Sequence, residues 1–318
     1  MLMSSSILKP GRWRVLAGGF DRLLADRGAA CPELLNITDP RAVRAAHDLY
    51  LDAGAEVIRT NTLGGSPERL DRYRMHDEAF IVSYMAAEHA VKSARAAVTR
   101  TGHARWVLGV ARVEGRTRLT GFLPLDRVEA AARTMASGLA GGGVDAILVE
   151  SIQDPARLTA AIDGTRRGLA DAGRSLPILL TLRFDPFFAS PASTARDWVT
   201  GDLVAAASAA AGLGVDAVSV AHANLVDSWL DTLRALASAY PGPLFVDCDP
   251  GRVALFQLRC DPALGPRVVL MGGGVTPEDT VRLGDLIAGG SRKIACPVLV
   301  PGFANDDTAL PFRQPRGA

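Results

Sequence analysis

Short apolar segments that follow a glycine and end in a polar residue recur along the chain. The clearest copies occupy residues 54–61, 143–150 and 214–222. The glycine suits a left-handed helix C-cap, and the β-branched run suits a strand that is buried on both faces. The pattern therefore predicts repeated helix-to-strand units, with a polar residue where each strand ends.

The same pattern predicts eight strands separated by helices. Three helices have a clear start, because Asp39-Pro40, Asp154-Pro155 and Thr276-Pro277 each place an N-cap residue before a proline at the first helical position. The predicted strands cover residues 14–20, 56–62, 105–111, 145–151, 177–183, 216–222, 243–249 and 267–273.

The spacing of these elements predicts an α/β fold, a (β/α)8 TIM barrel. Each gap between the three clearest copies holds about two βα units. An open doubly wound sheet with a dinucleotide site would need a Gly-x-Gly-x-x-Gly turn after its first strand, and residues 17–22 do not match it. We expect a single domain over residues 1–318, with a polar C-terminal tail from about residue 301.

Composition narrows the classes of partner. The 35 Lys and Arg residues nearly balance the 34 Asp and Glu residues, so the net charge of +1 attracts neither nucleic acid nor an anionic membrane. No run approaches the roughly 20 apolar residues of a membrane span, and residues 1–10 lack the apolar segment of an export signal. We therefore expect a cytoplasmic protein with a small-molecule substrate. Homo-oligomer formation stays open.

Five segments carry a recognisable family pattern. They are Val15-Leu-Ala-Gly-Gly-Phe20, Cys31-Pro-Glu-Leu-Leu-Asn-Ile-Thr38, the stretch from Tyr50 to Leu63, the stretch from Val144 to Asp154, and Gly272-Gly-Gly-Val-Thr-Pro-Glu278. In this order they resemble the homocysteine S-methyltransferase family, over nearly the whole chain. The resemblance implies a (β/α)8 barrel in which three cysteine thiolates hold zinc, and the zinc activates the thiol of homocysteine toward a methyl donor.

The chain departs from the family at the implied zinc ligands. Ala221-His222 stands where the family has an Asn-Cys pair, and Gly272 and Gly273 stand where it has two adjacent cysteines. A zinc site needs three or four N, S or O ligands, which one histidine and two glycines do not supply. We therefore expect no zinc at the family position and no other cofactor.

The residues that the resemblance places near the substrate also differ from the family pattern. The family's Asp-Gly-x-Met-Gly-Thr appears here as residues 17–22, and the Glu of its Glu-Thr-Asn-Thr appears as Arg59. Asn61, Thr62, Glu150 and Asp154 are retained. Of these, the resemblance assigns Glu150 to the ammonium group of the substrate.

The polar residues at the predicted strand ends are candidates for the site. Arg59 is suited to clamping a carboxylate or phosphate, or else to pairing with Glu150. Glu150 and His222 are the candidate catalytic residues, because both suit proton transfer; a structural salt bridge and a hydrogen-bonded rim histidine are the respective alternatives. The predicted substrate-binding residues are Arg59, Asn61, Thr62, Arg183, Asp247, Asp249, Gly272 and Gly273.

A rebuilt metal site is an alternative. His222 and Cys248, with Asp247 or Asp249, follow neighbouring predicted strands, although their spacing matches no known metal motif. Three functions follow. The leading one is an enzyme that has left zinc-thiolate chemistry and acts on a small amino-acid-like or anionic substrate. The others are a thiol methyltransferase with the rebuilt metal site, and an inactive relative that binds a small molecule or a partner.

Overall fold

Eight parallel strands close into a barrel in the computed structural model of the chain, which describes residues 7–9, 13–17, 23–24, 31–113, 116–117, 121–152, 155–183, 195–221, 229–246, 261–272 and 276–289. Helices follow the strands, which confirms the predicted TIM barrel. The strands are β1 (Arg14–Leu16), β2 (Val57–Arg59), β3 (Trp106–Arg112), β6 (Ala146–Ile152), β7 (Ile178–Arg183), β8 (Ala217–Ala221), β9 (Leu244–Val246) and β10 (Val268–Gly272), with β4 (Arg116–Thr117) and β5 (Gly121–Phe122) forming a separate hairpin.

Within the described residues, α-helices connect the strands. They are α1 (Leu35–Thr38), α2 (Pro40–Asp52), α3 (Pro67–Leu70), α4 (Ala79–Thr101), α5 (Leu125–Gly141), α6 (Pro155–Asp171), α7 (Ala195–Gly212), α8 (Trp229–Ala239) and α9 (Pro277–Gly289). Short 3-10 turns occur at Pro32–Leu34, Asp71–Tyr73, His76–Glu78 and Gly265–Arg267. None of the helices described is both long and apolar enough to cross a membrane.

The predicted helix boundaries are confirmed where they lie in the described part of the chain. At the start of α2, Asp39 Oδ1 accepts a hydrogen bond from the Ala42 amide at 3.1 Å. At the start of α9, Thr276 and Asp279 exchange side-chain-to-amide hydrogen bonds of 3.2 and 3.1 Å, which satisfies two amides of the first turn. The three repeated glycines, Gly54, Gly143 and Gly214, have the positive φ predicted for them.

Side chains of the barrel strands alternate between two apolar layers. Ile147, Leu180 and Val218 belong to the layer that packs against the helices. Their neighbours Leu148, Leu179 and Ala217 belong to a separate cluster inside the barrel. Because successive residues of a strand point to opposite faces, this assigns every second strand residue to the lumen.

The N-terminal end of the lumen is closed by an aromatic, a guanidinium and an aliphatic side chain. The Arg14 guanidinium carbon lies 5.0 Å from the centre of the Trp106 ring, and Arg14 Nη1 donates to the Ile7 carbonyl at 3.1 Å. All three residues are buried. The lumen therefore opens only toward the C-terminal ends of the strands, as far as the described residues define it.

Strand β2 is shorter than the predicted 56–62, because it ends at Arg59. Beyond Arg59, hydrogen bonds with threonine hydroxyls take the place of the backbone hydrogen bonds between β2 and β3. The Val110 amide donates to Thr60 Oγ1 at 2.9 Å, and Thr62 Oγ1 donates to the Val110 carbonyl at 2.6 Å. The chain therefore stays attached to β3 while its backbone leaves the sheet.

Helices α5 and α6 approach each other closely through glycines. A Cβ added at Gly164 would overlap the carbonyl oxygen of Glu129, and one at Gly168 would overlap that of Arg133. Arg133 also makes a bidentate ion pair with Asp171 across the same interface. The glycine spacing of four residues places both contacts on one face of α6.

Candidate functional site

The barrel lumen changes from apolar to polar toward the C-terminal ends of five strands. The last apolar lumen positions on these strands are Val57, Val110, Leu148, Leu179 and Ala217. Two residues further along, on the same side of each strand, the side chains are polar. These are Arg59, Arg112, Glu150, Thr181 and Ser219.

Four of these polar residues form one row across neighbouring strands. Arg112 of β3 is in register with Glu150 of β6, and Glu150 is in register with Thr181 of β7. Thr181 is in register with Ser219 of β8. Neighbouring strands lie about 4.8 Å apart, so adjacent members of the row are within reach of a common small ligand.

Water has little access to three of the four residues of the row. Glu150 is 4% exposed, and Thr181 and Ser219 are fully buried. The hydroxyls of Thr181 and Ser219 have no hydrogen-bond partner in the described part of the protein. A buried hydroxyl without a partner costs about 1–3 kcal/mol, so two of them side by side in a lumen call for an explanation.

The loop residue Asn61 is part of a hydrogen-bonded clasp above β2. Its side-chain amide donates to the Pro32 carbonyl at 2.8 Å and to Asn36 Oδ1 at 3.2 Å. The Asn36 amide in turn donates to the Asn61 carbonyl at 2.8 Å. The clasp joins the segment before α2 to the loop after β2, and so it fixes one side of the barrel mouth.

Glu33 extends the same clasp. Its carboxylate accepts hydrogen bonds from the Gly64 amide at 2.5 Å and from Cys31 Sγ at 3.3 Å. A Cβ on Gly64 would lie 2.7 Å from Glu33 Oε1, so a larger residue there would displace the carboxylate from its hydrogen bond with the Gly64 amide. Burial and the neighbouring Glu33 carboxylate raise the pKa of the Cys31 thiol to about 11. Cys31 is therefore a protonated hydrogen-bond donor at neutral pH rather than a nucleophile.

The structure describes some of the predicted site residues and not others. Arg59 and Glu150 both lie on lumen positions, whereas the side chains of Asn61 and Thr62 are engaged in hydrogen bonds within the protein. Arg183 and Gly272 end β7 and β10, where the structure describes their backbone. Outside the described residues lie His222, Asp247, Cys248, Asp249 and Gly273.

Sequence reasoning missed Thr181, Ser219 and Arg112. The internal repeat carried a signal for one of them, because Ser219 occupies the same position of its copy as Arg59 and Leu148 do in theirs. A polar residue at that position interrupts an otherwise apolar strand. Strand alternation assigns that position to the same face of the strand as Arg59.

Metal-binding capacity depends on side-chain donors. No group of three or more His, Cys, Asp and Glu side chains suited to one metal ion occurs among the residues that the structure describes. Gly272, at the end of β10, offers no side-chain donor in the place where the resemblance expects a cysteine.

Comparisons with known proteins agree with this architecture. A sequence model of the homocysteine S-methyltransferase family matches residues 14–261. The match ends before β10, so Gly272 and Gly273 lie beyond it.

Individual relatives are longer proteins. The chain is 31% identical over 308 residues to the methionine synthase of Mycobacterium leprae, covering 89% of this chain and 25% of that protein. It is 27% identical over 303 residues to the methionine synthase of Mycobacterium tuberculosis, covering 89% of this chain and 24% of that protein. The chain thus spans about a quarter of the length of these relatives. Its fold is similar to the metallated homocysteine methyltransferase MmuM from Escherichia coli, with a TM-score of 0.64, 20% identity, and 85% of this chain and 95% of that chain covered.

Proposed function

Because the chain belongs to the homocysteine S-methyltransferase family, we propose that it is an enzyme that binds a small amino-acid-like substrate in the mouth of the barrel. In this proposal it acts on that substrate without the zinc-thiolate centre that the resemblance implies. The observation that carries the proposal is the polar row above the apolar lumen, with the buried carboxylate of Glu150 at its centre.

The charges of the row suit a zwitterion. Glu150 supplies a negative charge inside the lumen, and Arg112 lies beside it in register. Arg59 is a second guanidinium on a lumen position. Guanidinium groups recognise carboxylates through paired hydrogen bonds, and a carboxylate recognises an ammonium group. We propose that the arginines receive the carboxylate of the substrate and Glu150 its ammonium group.

The donor set argues against the zinc chemistry. Two of the three positions that the resemblance assigns to zinc ligands are Gly272 and Gly273, which have no side-chain donors. We therefore derive no step through zinc. A metal site rebuilt from His222, Cys248 and Asp247 or Asp249 is the competing proposal, and elemental analysis separates the two.

His222 is the proposed proton-transfer residue. It stands at the position of a family zinc ligand, and the unperturbed imidazole pKa of about 6.5 suits proton exchange near neutral pH. Glu150 is the second candidate for proton transfer.

The proposal is tested by binding of L-methionine and two of its analogues to the full chain. Methylthiobutanoate lacks the ammonium group and methylthiopropylamine lacks the carboxylate. We expect Arg59→Ala to weaken L-methionine binding by about 2–5 kcal/mol, because the ligand carboxylate is then left without its partner. Binding of methylthiopropylamine should stay unchanged. Calorimetry measures all the affinities.

Two control variants isolate the role of the guanidinium. Arg59→Lys keeps the charge but loses the paired geometry, so its effect should be intermediate. Arg167→Ala removes an exposed arginine of α6 that pairs with Glu129 and should leave binding unchanged. Equal binding of L-methionine by wild type and Arg59→Ala would contradict the proposed carboxylate recognition. Binding without turnover of any amino acid tested would favour the inactive, ligand-binding relative.

A further inference from the structure

We propose that the hydroxyls of Thr181 and Ser219, together with the carboxylate of Glu150, form the receptor for a primary ammonium group. This inference rests on the proposed function and names two substrate-positioning residues for it. The resemblance assigns only Glu150 to the substrate, and neither hydroxyl was expected from the sequence.

The geometry of the barrel brings the three groups together. Glu150, Thr181 and Ser219 are consecutive members of one register row on β6, β7 and β8. Neighbouring backbones in a sheet are about 4.8 Å apart, but side chains that point into a closed barrel converge toward its axis. The three side chains thus project toward the same region of the lumen.

An ammonium group matches this set of oxygens. It has three N–H donors and no acceptor, while the row offers a carboxylate and two hydroxyl oxygens with lone pairs. An anion is disfavoured on this side of the site, because Glu150 lies next to Thr181. The arginines lie on the other side, with Arg112 in register on the far flank of Glu150. A zwitterion therefore has one orientation that satisfies both ends.

The burial of the hydroxyls adds an independent argument. Both are fully buried, and neither has a hydrogen-bond partner among the described residues. The alternating strand pattern directs both into the lumen, because Leu179 and Ala217, two residues earlier, belong to the lumen cluster. A valine in place of Thr181 would fill almost the same space without the cost of an unsatisfied hydroxyl. A ligand that uses the hydroxyls accounts for their retention.

The test uses Thr181→Val and Ser219→Ala in the full chain, with L-methionine and methylthiobutanoate as probes. Ser83→Ala is the matched control. Ser83 is also fully buried and its hydroxyl also lacks a partner, but it lies on α4, outside the barrel. Affinities are measured by calorimetry, and thermal unfolding is measured without ligand.

We expect each lumen variant to bind L-methionine about 10-fold more weakly than wild type, since a hydrogen bond to a charged group is lost. Binding of methylthiobutanoate, which has no ammonium group, should be the same in all proteins. All three variants should unfold at the wild-type temperature or above it, because each loses an unsatisfied hydroxyl. Ser83→Ala should bind both probes like wild type.

Equal L-methionine affinity in wild type and both lumen variants would overturn the ammonium receptor. If those variants also unfolded at a higher temperature than wild type, the hydroxyls would be identified as merely unsatisfied or bonded to water. The results that would overturn the ammonium receptor differ from those that would overturn the proposed carboxylate recognition. The proposed carboxylate recognition fails if methylthiopropylamine binds wild type as well as L-methionine does. The ammonium receptor fails if methylthiobutanoate does. If wild type binds none of the probes, both are overturned.

Discussion

At the scale of single residues, two buried histidines affect stability rather than chemistry. His47 of α2 is fully buried, and burial together with the nearby His89 lowers the pKa of His47 to about 3. Burial also lowers the pKa of His89, whose Nε2 lies 2.9 Å from the Asn36 carbonyl oxygen. Both imidazoles are therefore neutral in the folded protein at pH 7.

These pKa values predict a loss of stability in mild acid. A histidine with a lowered pKa in the folded state binds protons more readily when unfolded, so its stabilisation is present above pH 6.5 and is lost as the pH falls toward 3. From pH 7 to 5.5 we expect His47 alone to lower the free energy of unfolding by about 1 kcal/mol. Denaturant unfolding at both pH values measures it.

The His47→Gln variant identifies the source of that loss. It should lose about 1 kcal/mol less than wild type between the two pH values, whatever its stability at pH 7. His103→Gln replaces an exposed histidine and should behave like wild type. The same pH dependence in wild type and His47→Gln would exclude His47 as the group responsible.

At the scale of elements, the α5–α6 contact shows how glycine determines helix packing. The backbone of α5 occupies the space that a side chain would need at Gly164 and Gly168. Such contacts let two helices approach more closely than larger side chains allow. The exposed ion pairs across this interface contribute less than the close packing does, because solvent screens them.

Substitution of these glycines should therefore destabilise the protein in spite of the better helix propensity of alanine. We expect Gly168→Ala to lower the free energy of unfolding by about 1–3 kcal/mol, as other overpacked sites do. Gly284→Ala is the matched control. It lies within α9, and a Cβ there meets no atom within 4 Å, so it should raise stability by about 0.5–1 kcal/mol. A stabilising Gly168→Ala would show that the helices separate easily.

Element boundaries were predictable where local chemistry determines them. The start of α2 follows from the Asp39 side chain and the proline after it. The end of β2 did not follow, because it depends on Thr60 and Thr62 bonding to Val110, about 50 positions away in the chain. Asp145 and Asp216 occupy the same position in two copies of the internal repeat, and their role is visible only in the structure. Each carboxylate accepts a hydrogen bond from an amide at or next to the start of a neighbouring strand, that of Val107 or Ile178, at 2.8 Å.

At the scale of the whole molecule, the chain has the barrel of its family, and glycines stand at two positions where the resemblance implies metal ligands. The barrel could be predicted because apolar periodicity and glycine caps act locally. The polar row could not, since it depends on strand register between residues 31 to 38 positions apart, such as Thr181 and Glu150 or Ser219 and Thr181. The positions of His222 and Gly273 remain predictions, because they lie outside the described residues.

The changed ligands predict a protein without stoichiometric zinc. We also expect no formation of methionine from homocysteine with S-methylmethionine, S-adenosylmethionine or a methyl-folate. A free thiol with a pKa near 8.5 is mostly protonated at neutral pH and gains little nucleophilicity without a metal or base. Elemental analysis of the purified protein and a methionine assay measure both.

A variant that restores cysteine at His222, Gly272 and Gly273 provides the comparison. It should take up zinc if the missing side chains are the cause. One zinc per wild-type chain, or rapid methionine formation, would contradict the prediction and favour the rebuilt metal site.

The alternation of lumen and helix-facing residues along each strand has a consequence for how such a protein diversifies. Thr181 lies between Leu180 and Leu182, which pack against the helices. If Thr181 belongs to the proposed ammonium receptor, a substitution there changes what the barrel binds, whereas its two neighbours preserve the shell around it. Selection can thus explore new ligands at the polar lumen positions near the C-terminal ends of the strands while the apolar lumen cluster and the helix-facing layer stay intact. A combinatorial library confined to the polar lumen positions should accordingly yield a high fraction of folded proteins with altered binding.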